Sequence, residues 1–309
     1  MPDSNRKKVR FQTIEKVKWL YPSSTVVDLC RLFGLSRQSY YKFINKRTED
    51  TWMNAKVISM VESIRSVHPR MGGRKIYSLL QTEFKRQDIK IGRDKLFNLL
   101  ADNQLLIKKR KRKIYTTNSY HHFHKYPNLI KEFRPYQANQ LWVSDITYVK
   151  TGQQFSYLFL VTDAYSRRIM GYAVSKNLES QYAVKALKMA IKYAGNVTGL
   201  IHHSDRGIQY CSKEYVNLCQ DNNIKLSMTE DGNPRDNGIA ERVNGILKDE
   251  YIYEARPSTY LQFKEVMESI IYKYNQLRPH LSCDMNTPNK TYLLQGKVNQ
   301  RWKNYYFNT

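Results

Sequence analysis

The sequence predicts an α/β protein in which an all-helical amino-terminal part precedes a mixed five-stranded sheet flanked by helices. Up to about residue 107, apolar residues recur three and four positions apart, as they do in amphipathic helices. From about residue 140, short apolar runs alternate with tight turns, a pattern typical of β-strands. We expect helical domains at 1–50 and 51–115, a linker at 116–138, the sheet-bearing domain at 139–255 and a helical extension at 256–309.

The charge of the chain is strongly positive and unevenly distributed. Its 309 residues include 51 Lys+Arg and 27 Asp+Glu, a net charge of +24. Residues 1–134 carry 30 of the basic and 11 of the acidic side chains, so the excess lies mostly in the helical part. Such an excess favours a polyanionic partner, with nucleic acid the first candidate and an acidic membrane surface the second.

Other sequence features argue against a membrane or secreted protein. The longest apolar run, residues 157–161, is far shorter than the roughly 18 residues that cross a membrane. The first residues contain no apolar core of a signal peptide. Four scattered cysteines lack the spacing of a metal site, which suits a reducing compartment. We therefore expect a soluble, cytoplasmic protein.

Residues 11–47 are predicted to contain a helix-turn-helix. An apolar stripe over 26–33 ends at Gly34, and Ser36 begins a second helix. Arg37 and Lys42 on this second helix are candidate DNA contacts, because the second helix of the motif enters the major groove. The pattern also fits a plain helical hairpin, and it is the basic charge that favours DNA binding.

A second, winged-helix-like unit of the same kind is predicted at 51–115. One helix stops before Pro69, and two more follow at 74–84 and 93–103. Its candidate DNA contacts, the basic residues that need not face the core, are Arg74, Arg93 and Lys95.

This unit ends in six consecutive cations that we also assign to DNA: Lys108, Lys109, Arg110, Lys111, Arg112 and Lys113. Six adjacent cations cannot pack in a core, so the run is a solvated linker. Passive solvation or a nuclear-import signal are alternatives, but beside two helix-turn-helix candidates we expect it to follow DNA phosphates. The histidines after it, at 121, 122 and 124, have no further ligand at a suitable spacing and are interpreted as linker residues rather than a zinc site.

The sheet-bearing domain is predicted to have the element order βββαβαβα. Short gaps join the first three strands, which are therefore antiparallel. The strands are predicted at 141–149, 156–163, 168–175, 199–203 and 224–227. The helices are predicted at 183–194, 212–221 and 237–251. This order is that of a ribonuclease-H-like fold, a mixed sheet with helices on both faces.

Three carboxylates of this domain are candidate catalytic and metal-binding residues. Asp145 lies inside the first strand, where an unpaired acid is costly, and Asp205 ends the fourth strand. In this order the two strands are parallel neighbours, so the acids can meet, and a cation between them would relieve their repulsion. Glu241 lies on the last helix, away from its apolar stripe, and oxygen ligands of this kind suit Mg²⁺ or Mn²⁺. Arg242 and Lys248 on the same helix are candidate DNA contacts, with a solvated helix face as the alternative.

Rival acids have simpler explanations. Asp163 precedes a turn, where aspartate is ordinary, and Asp236 fits a helix cap. Glu250 lies two and a half turns beyond Glu241 and is expected to point elsewhere.

Five blocks of sequence follow one another around the three acids: 142–147, 203–210, 232–241, 248–250 and 274–280. In these blocks the chain resembles the DDE transposases and retroviral integrases, and most of all the second-frame (OrfB) transposases of two-frame bacterial insertion sequences. Thirty-five residues separate Asp205 from Glu241, the spacing known for that family. Gly238 and the Met71-Gly72-Gly73 segment depart from the family pattern, but neither involves the acids.

The resemblance implies a polynucleotidyl transferase in which Asp145, Asp205 and Glu241 hold two Mg²⁺ ions about 4 Å apart. Hydrolysis of a phosphodiester would free a 3′-hydroxyl, which then attacks new DNA. The implied partners are double-stranded DNA, as terminal inverted repeats and as target, and further copies of the chain assembled on it in a bacterial nucleoid. An inactive DNA-binding regulator and a ribonuclease-H-like nuclease that only cuts are the alternatives.

Overall fold

The computed structural model describes residues 3–108, 110, 123–230 and 237–299, with side chains from residue 6 onward. The chain divides into two compact units, one formed by Met1–Ser63 with Thr82–Gln104 and the other by Ile64–Gln81 with Leu105–Thr309. Among the described residues, no helix combines the length and the apolar character that a membrane span requires.

The amino-terminal part of the chain is helical, as predicted. Its helices are α1 (Asp3–Leu20), α2 (Val26–Leu32), α3 (Arg37–Val67), α4 (Gly73–Arg86) and α5 (Arg93–Asp102). Between α2 and α3 the chain turns at Gly34, whose φ of +66° is a conformation that glycine adopts without strain. The Ser36 hydroxyl then accepts the backbone N–H of Ser39 at 3.1 Å and caps α3. Phe11 and Ile14 of α1 pack against Leu29, Cys30 and Tyr40 to form a small core.

Helix α3 differs from the prediction of separate helices on either side of residue 50. It runs without a break from Arg37 to Val67 and crosses the expected boundary between the two helical domains. Residues 45–56 contain neither proline nor glycine, so nothing in the local sequence ends the helix. The two-domain division of this region stays a prediction.

The carboxy-terminal unit is built on a five-stranded mixed sheet, which confirms the predicted fold class. Its strands are β1 (Leu141–Thr151), β2 (Gln154–Asp163), β3 (Ile169–Ser175), β4 (Ile201–Ser204) and β5 (Lys225–Met228). They lie in the order β3-β2-β1-β4-β5. The first three strands pair antiparallel, whereas β4 pairs parallel with both β1 and β5. This topology is ribonuclease-H-like.

Helices cover both faces of the sheet. One face packs against α6 (Ser180–Ala194) and α7 (Lys213–Asp221), and the core between them includes Trp142 and Phe159. The other face packs against α8 (Gly238–Leu247) and α10 (Tyr260–Tyr272). The apolar stripe of α10 is buried there, as its helical spacing predicts.

Two helices of the second face end in π-helical turns. The predicted helix at 237–251 is α8 followed by a π-turn at Lys248–Ile252 and the short α9 (Tyr253–Ala255). Helix α10 likewise continues into a π-turn at Lys273–Leu277. A 3₁₀ turn at Leu281–Cys283 and α11 (Pro288–Tyr292) complete the described chain. Because π-turns change the direction in which the following side chains point, they affect the placement of residues beyond Lys248.

Candidate active site

Asp145 and Asp205 lie at matching positions on neighbouring parallel strands. Val143 of β1 pairs with His203 of β4, and each aspartate lies two residues further along its chain. Neighbouring strands are about 4.8 Å apart, so the two carboxylates meet at this end of β4. The strand order predicted from the sequence is therefore what brings them together.

Hydrogen bonds hold the Asp145 carboxylate in place on β1. Its Oδ1 accepts the backbone N–H of Ile146 at 2.9 Å, and its Oδ2 accepts the side-chain amide of Asn244 at 2.7 Å. Burial raises the pKa of Asp145 to about 7, with the negative charge of Asp205 the second cause and that of Glu241 a smaller one. The hydrogen bonds from Asn244 and Ile146 oppose this rise, since they stabilise the ionised form.

The Asp205 carboxylate is held by the turn that follows β4. Its Oδ1 accepts the backbone N–H of Gly207 at 3.0 Å. A Cβ at Gly207 would lie 2.9 Å from the same oxygen, so glycine allows the backbone to approach the carboxylate closely.

Glu241 lies in the first turn of α8, between two asparagines that attach this helix to β1. Asn237 donates from its side-chain amide to the Ser144 carbonyl at 2.9 Å, and Asn244 donates to Asp145. Because Glu241 and Asn244 are three residues apart, they share one face of the helix. The Glu241 carboxylate is exposed, and partial burial raises its pKa. The helix thus carries Glu241 on the same face as Asn244, which contacts Asp145, and the Glu241 charge contributes to the raised pKa of Asp145.

The donor chemistry of this site fits a hard divalent cation. The pKa of Asp145 is raised partly by the charges of Asp205 and, less, Glu241, a repulsion that a bound cation would remove. Within the described residues, no three His, Cys, Asp or Glu side chains are already arranged around a metal position. Residues 231–236, which lead into α8, lie outside the description.

The rival acids have structural roles. Asp163 is fully buried, and its Oδ1 accepts both the N–H and the hydroxyl of Ser166 at the turn after β2. Glu250 forms a buried ion pair with Arg278 and Lys75, away from the three carboxylates. His203, which the sequence suggested as a packing or hydrogen-bonding residue, is buried with its Nδ1 2.9 Å from the Ser227 hydroxyl.

Most of the predicted DNA contacts on the helical part are exposed. The side chains of Arg37, Lys42 and Arg74 are open to solvent. Arg93 and Lys95 are exposed as well, but they form ion pairs, Arg93 with Asp94 at 2.8 Å and Lys95 with Asp50 at 3.6 Å.

The remaining predicted contacts lie on the carboxy-terminal unit. Arg242 is exposed, and the Lys248 amine lies 5.7 Å from the centre of the Tyr148 ring. Lys108 is exposed, and Arg110 pairs with Glu254. Lys109, Lys111, Arg112 and Lys113 lie outside the described residues. The role of these residues in DNA binding stays a prediction.

Sequence reasoning missed the contribution of Asn244. The helical spacing placed it on an exposed face with Glu241, whereas the structure buries it against Asp145. The available signal was its position three residues after Glu241, on the same face of the helix as that candidate ligand. Its partner is nevertheless Asp145 on β1, 99 residues earlier in the chain, which helical spacing does not indicate.

Comparisons with known proteins identify the family of the chain. Residues 135–234 match the family described as Integrase core domain, and residues 222–288 match a second family of the same description. The 31 kDa protein of insertion element IS600 from Shigella sonnei is 34% identical and covers 82% of this chain and 93% of its own length. The transposase of insertion sequence IS629 from Shigella sonnei is 28% identical, covering 74% of this chain and 78% of its own.

A solved structure is also similar. The HTLV-2 integrase catalytic core domain, solved in complex with magnesium, is 22% identical, covers 52% of this chain and 99% of that chain, and has a TM-score of 0.42. The family itself is shown by the extent of the IS600 match, which spans both the helical part and the sheet. The chain belongs to the DDE transposases of insertion sequences, which carry an integrase catalytic core.

Proposed function

We propose that this protein cleaves the ends of its own insertion sequence and joins them to new DNA. The observation that carries the proposal is the pairing of Asp145 on β1 with Asp205 after β4, with the pKa of Asp145 raised to about 7 by burial, by the charge of Asp205 and, less, by that of Glu241 on α8. A site that concentrates negative charge in this way needs a cation to work on a phosphodiester, which is itself an anion.

Asp145, Asp205 and Glu241 are the residues that would hold Mg²⁺, or Mn²⁺ in its place. When bound, two such ions supply Lewis-acid stabilisation of the attacking and leaving oxygens. The chain's own contribution is positioning: Asn244 and the Ile146 N–H fix both oxygens of Asp145, and the Gly207 N–H fixes Asp205. These bonds leave a preorganised ligand set, so little reorganisation is needed when metal and DNA bind.

The partners follow from the same proposal. The substrate is double-stranded DNA, as the terminal inverted repeats of the element and as a target. The helical part, with its large excess of basic residues, would hold the repeats. Two element ends must be handled together, and we therefore propose that copies of the chain assemble on DNA.

The test is carried out in cells that carry the gene with its native flanking DNA. Amplification across the element ends detects a junction of left end to right end, the product of cleavage followed by strand transfer. We compare the wild type with Glu241→Gln, which keeps the side-chain size and removes the charge. Glu214→Gln, which changes an exposed glutamate of α7, is the matched control.

Junctions in the wild type and the control but not in Glu241→Gln would support the proposal. Junctions in all three would exclude Glu241 from the site. Cut ends without any junction would indicate a nuclease that does not transfer strands. Retained binding to the element ends without cuts or junctions, by purified protein with Mg²⁺, would indicate an inactive DNA-binding regulator.

A further inference from the structure

Tyr210, which follows β4, has a buried hydroxyl without a hydrogen-bond partner among the residues that the structure describes. The residue as a whole is only 2% exposed. A buried hydroxyl that makes no hydrogen bond costs free energy, and most buried polar groups in folded proteins avoid this cost by pairing. The position of this hydroxyl therefore calls for a physical reason.

The ring of Tyr210 lies in the turn that holds the Asp205 carboxylate. The backbone N–H of Tyr210 donates to the Gly207 carbonyl at 3.0 Å, and the Gly207 N–H donates to Asp205 Oδ1 at 3.0 Å. A Cβ at Gly207 would lie 2.9 Å from this carboxylate oxygen and 3.6 Å from Cδ2 of the Tyr210 ring. The ring and the carboxylate therefore flank the same glycine.

A second buried tyrosine packs against the ring and provides a contrast. The rings of Tyr210 and Tyr215 have centroids 5.4 Å apart and meet edge to face, with the ring of His202 beside both. The Tyr215 hydroxyl lies 2.9 Å from Nε2 of His202, so it has a partner. Two tyrosines in contact thus differ in one respect, since only the hydroxyl of Tyr215 is paired within the described part of the chain.

The charges of the candidate active site act on Tyr210. Burial raises its pKa, the charge of Asp205 is the second cause, and that of Asp145 adds a smaller effect. The phenol therefore keeps its proton, which makes the hydroxyl a hydrogen-bond donor. Carboxylates are the strongest acceptors for such a donor, because a hydrogen bond to an ionised group is about twice as strong as one between neutral groups.

We propose that Tyr210 is a positioning residue whose hydroxyl orients the Asp205 carboxylate for the cation by donating a hydrogen bond through one bridging water. The Gly207 N–H already holds one oxygen of this carboxylate, and the second bond restrains its rotation. A bond mediated by water is nearly as favourable in enthalpy as a direct one. The inference rests on the proposed function, since the bound cation is what the orientation serves.

The test compares Tyr210→Phe with Tyr215→Phe, each of which removes one buried hydroxyl, by thermal unfolding of the full chain. In metal-free protein, Tyr210→Phe should leave Tm unchanged or raise it, because the hydroxyl that it removes has no partner in the described protein. Tyr215→Phe should lower Tm by about 2–4 °C, because it removes a hydrogen bond that is made.

The same measurement over a series of Mg²⁺ concentrations reports on the cation site. Mg²⁺ that binds the native state raises Tm with increasing concentration. Tyr210→Phe should need about tenfold more Mg²⁺ than the wild type for the same rise, the usual loss when a group that orients a metal ligand is removed. Tyr215→Phe should follow the wild-type dependence on Mg²⁺.

An unshifted Mg²⁺ dependence in Tyr210→Phe overturns the inference and leaves the proposed function intact. An equal shift in both variants also overturns it, because the effect would then come from packing. A metal-free Tm that falls as far in Tyr210→Phe as in Tyr215→Phe would show a structural role instead. No response of the wild type to Mg²⁺ would remove the cation site on which the inference rests, and the junctions in cells would then decide separately whether transposition is refuted as well.

Discussion

Replacing Glu250 with glutamine is expected to lower the free energy of unfolding by about 3–5 kcal/mol, the usual result of breaking a buried ion pair. Glu250 accepts the Arg278 Nε at 2.8 Å and Nη2 at 2.6 Å, and the Lys75 amine lies 3.3 Å away. Arg278 is only 1% exposed. Without the Glu250 carboxylate, the charge of Arg278 stays buried with no counterion, which destabilises the folded state.

The pKa shift of Glu250 gives a similar value for the stabilisation that this ion pair provides. Burial by itself would raise its pKa, but the charge and hydrogen bonds of Arg278 and then of Lys75 outweigh burial and lower the pKa to about 2. The difference from the ordinary value of 4.5 corresponds to about 3 kcal/mol. Because the folded-state pKa is depressed, this stabilisation is present above about pH 4.5 and is lost as the pH falls towards 2.

Lys75 provides the contrast. Burial, followed by the charge of Arg278, lowers its pKa to about 8 from 10.5, so the folded environment disfavours the charged amine. Lys75→Met should therefore cost less than about 1 kcal/mol at neutral pH, although it removes a partner of the same carboxylate. In the wild type, the unfolded chain holds this proton more tightly than the native one, so the Lys75 contribution to stability rises as the pH increases from about 8 to 10.5.

The assay is urea unfolding followed by circular dichroism, with native-state hydrogen exchange of the π-turn Lys248–Ile252 as a local measure. Glu250→Gln should lower both the free energy of unfolding and the hydrogen-exchange protection of the π-turn. The difference in unfolding free energy between this variant and the wild type should shrink as the pH falls from about 4.5 towards 2. A cost below about 1 kcal/mol, a difference independent of pH, or an equal cost for Lys75→Met would refute the reasoning.

Three further predictions concern the site and the sheet. Asn244→Ala should raise the pKa of Asp145 above its value of about 7, because it removes a hydrogen bond to the ionised form. The pH profile of Mg²⁺ binding, measured by calorimetry, should then move upwards by about one unit, and an unshifted profile would contradict the positioning role of Asn244. Because the pKa of Asp145 is raised from 3.8 to about 7, the metal-free native protein should lose stability as the pH rises from about 4 to 7. Thermal unfolding should show that Mg²⁺ restores this stability more at pH 8 than at pH 5, and that both effects vanish in Asp145→Asn. Gly171→Ala should destabilise the sheet by more than about 3 kcal/mol, because the new Cβ would overlap the Ala186 carbonyl oxygen and lie 2.8 Å from the Ala190 nitrogen; a soluble variant with unchanged thermal unfolding would show that β3 and α6 can separate without cost.

The three candidate acids show how far sequence reasoning reaches. The positions of Asp145 and Asp205 follow from strand periodicity together with the βββαβαβα order, because a parallel β1–β4 pair leaves little choice of register. Glu241 could be placed on a helix from its spacing, but its closeness to the aspartates came from the resemblance. The structure supports that closeness through the effect of the Glu241 charge on Asp145, and the metal-binding role of the trio stays a prediction.

The sequence by itself determined the strands, most of the helices, the fold class and the uneven charge, since each depends mainly on residues close together in the chain. Only the tertiary structure decided which side chains meet: Lys75 lies 175 residues before Glu250, and Asn244 lies 99 residues after Asp145. It also decided that α8 and α10 end in π-turns, for which the local sequence carried no signal. Apolar periodicity reports which face of an element is buried, whereas the partner of a buried polar group depends on how distant elements pack, and that information is absent from any short window of sequence.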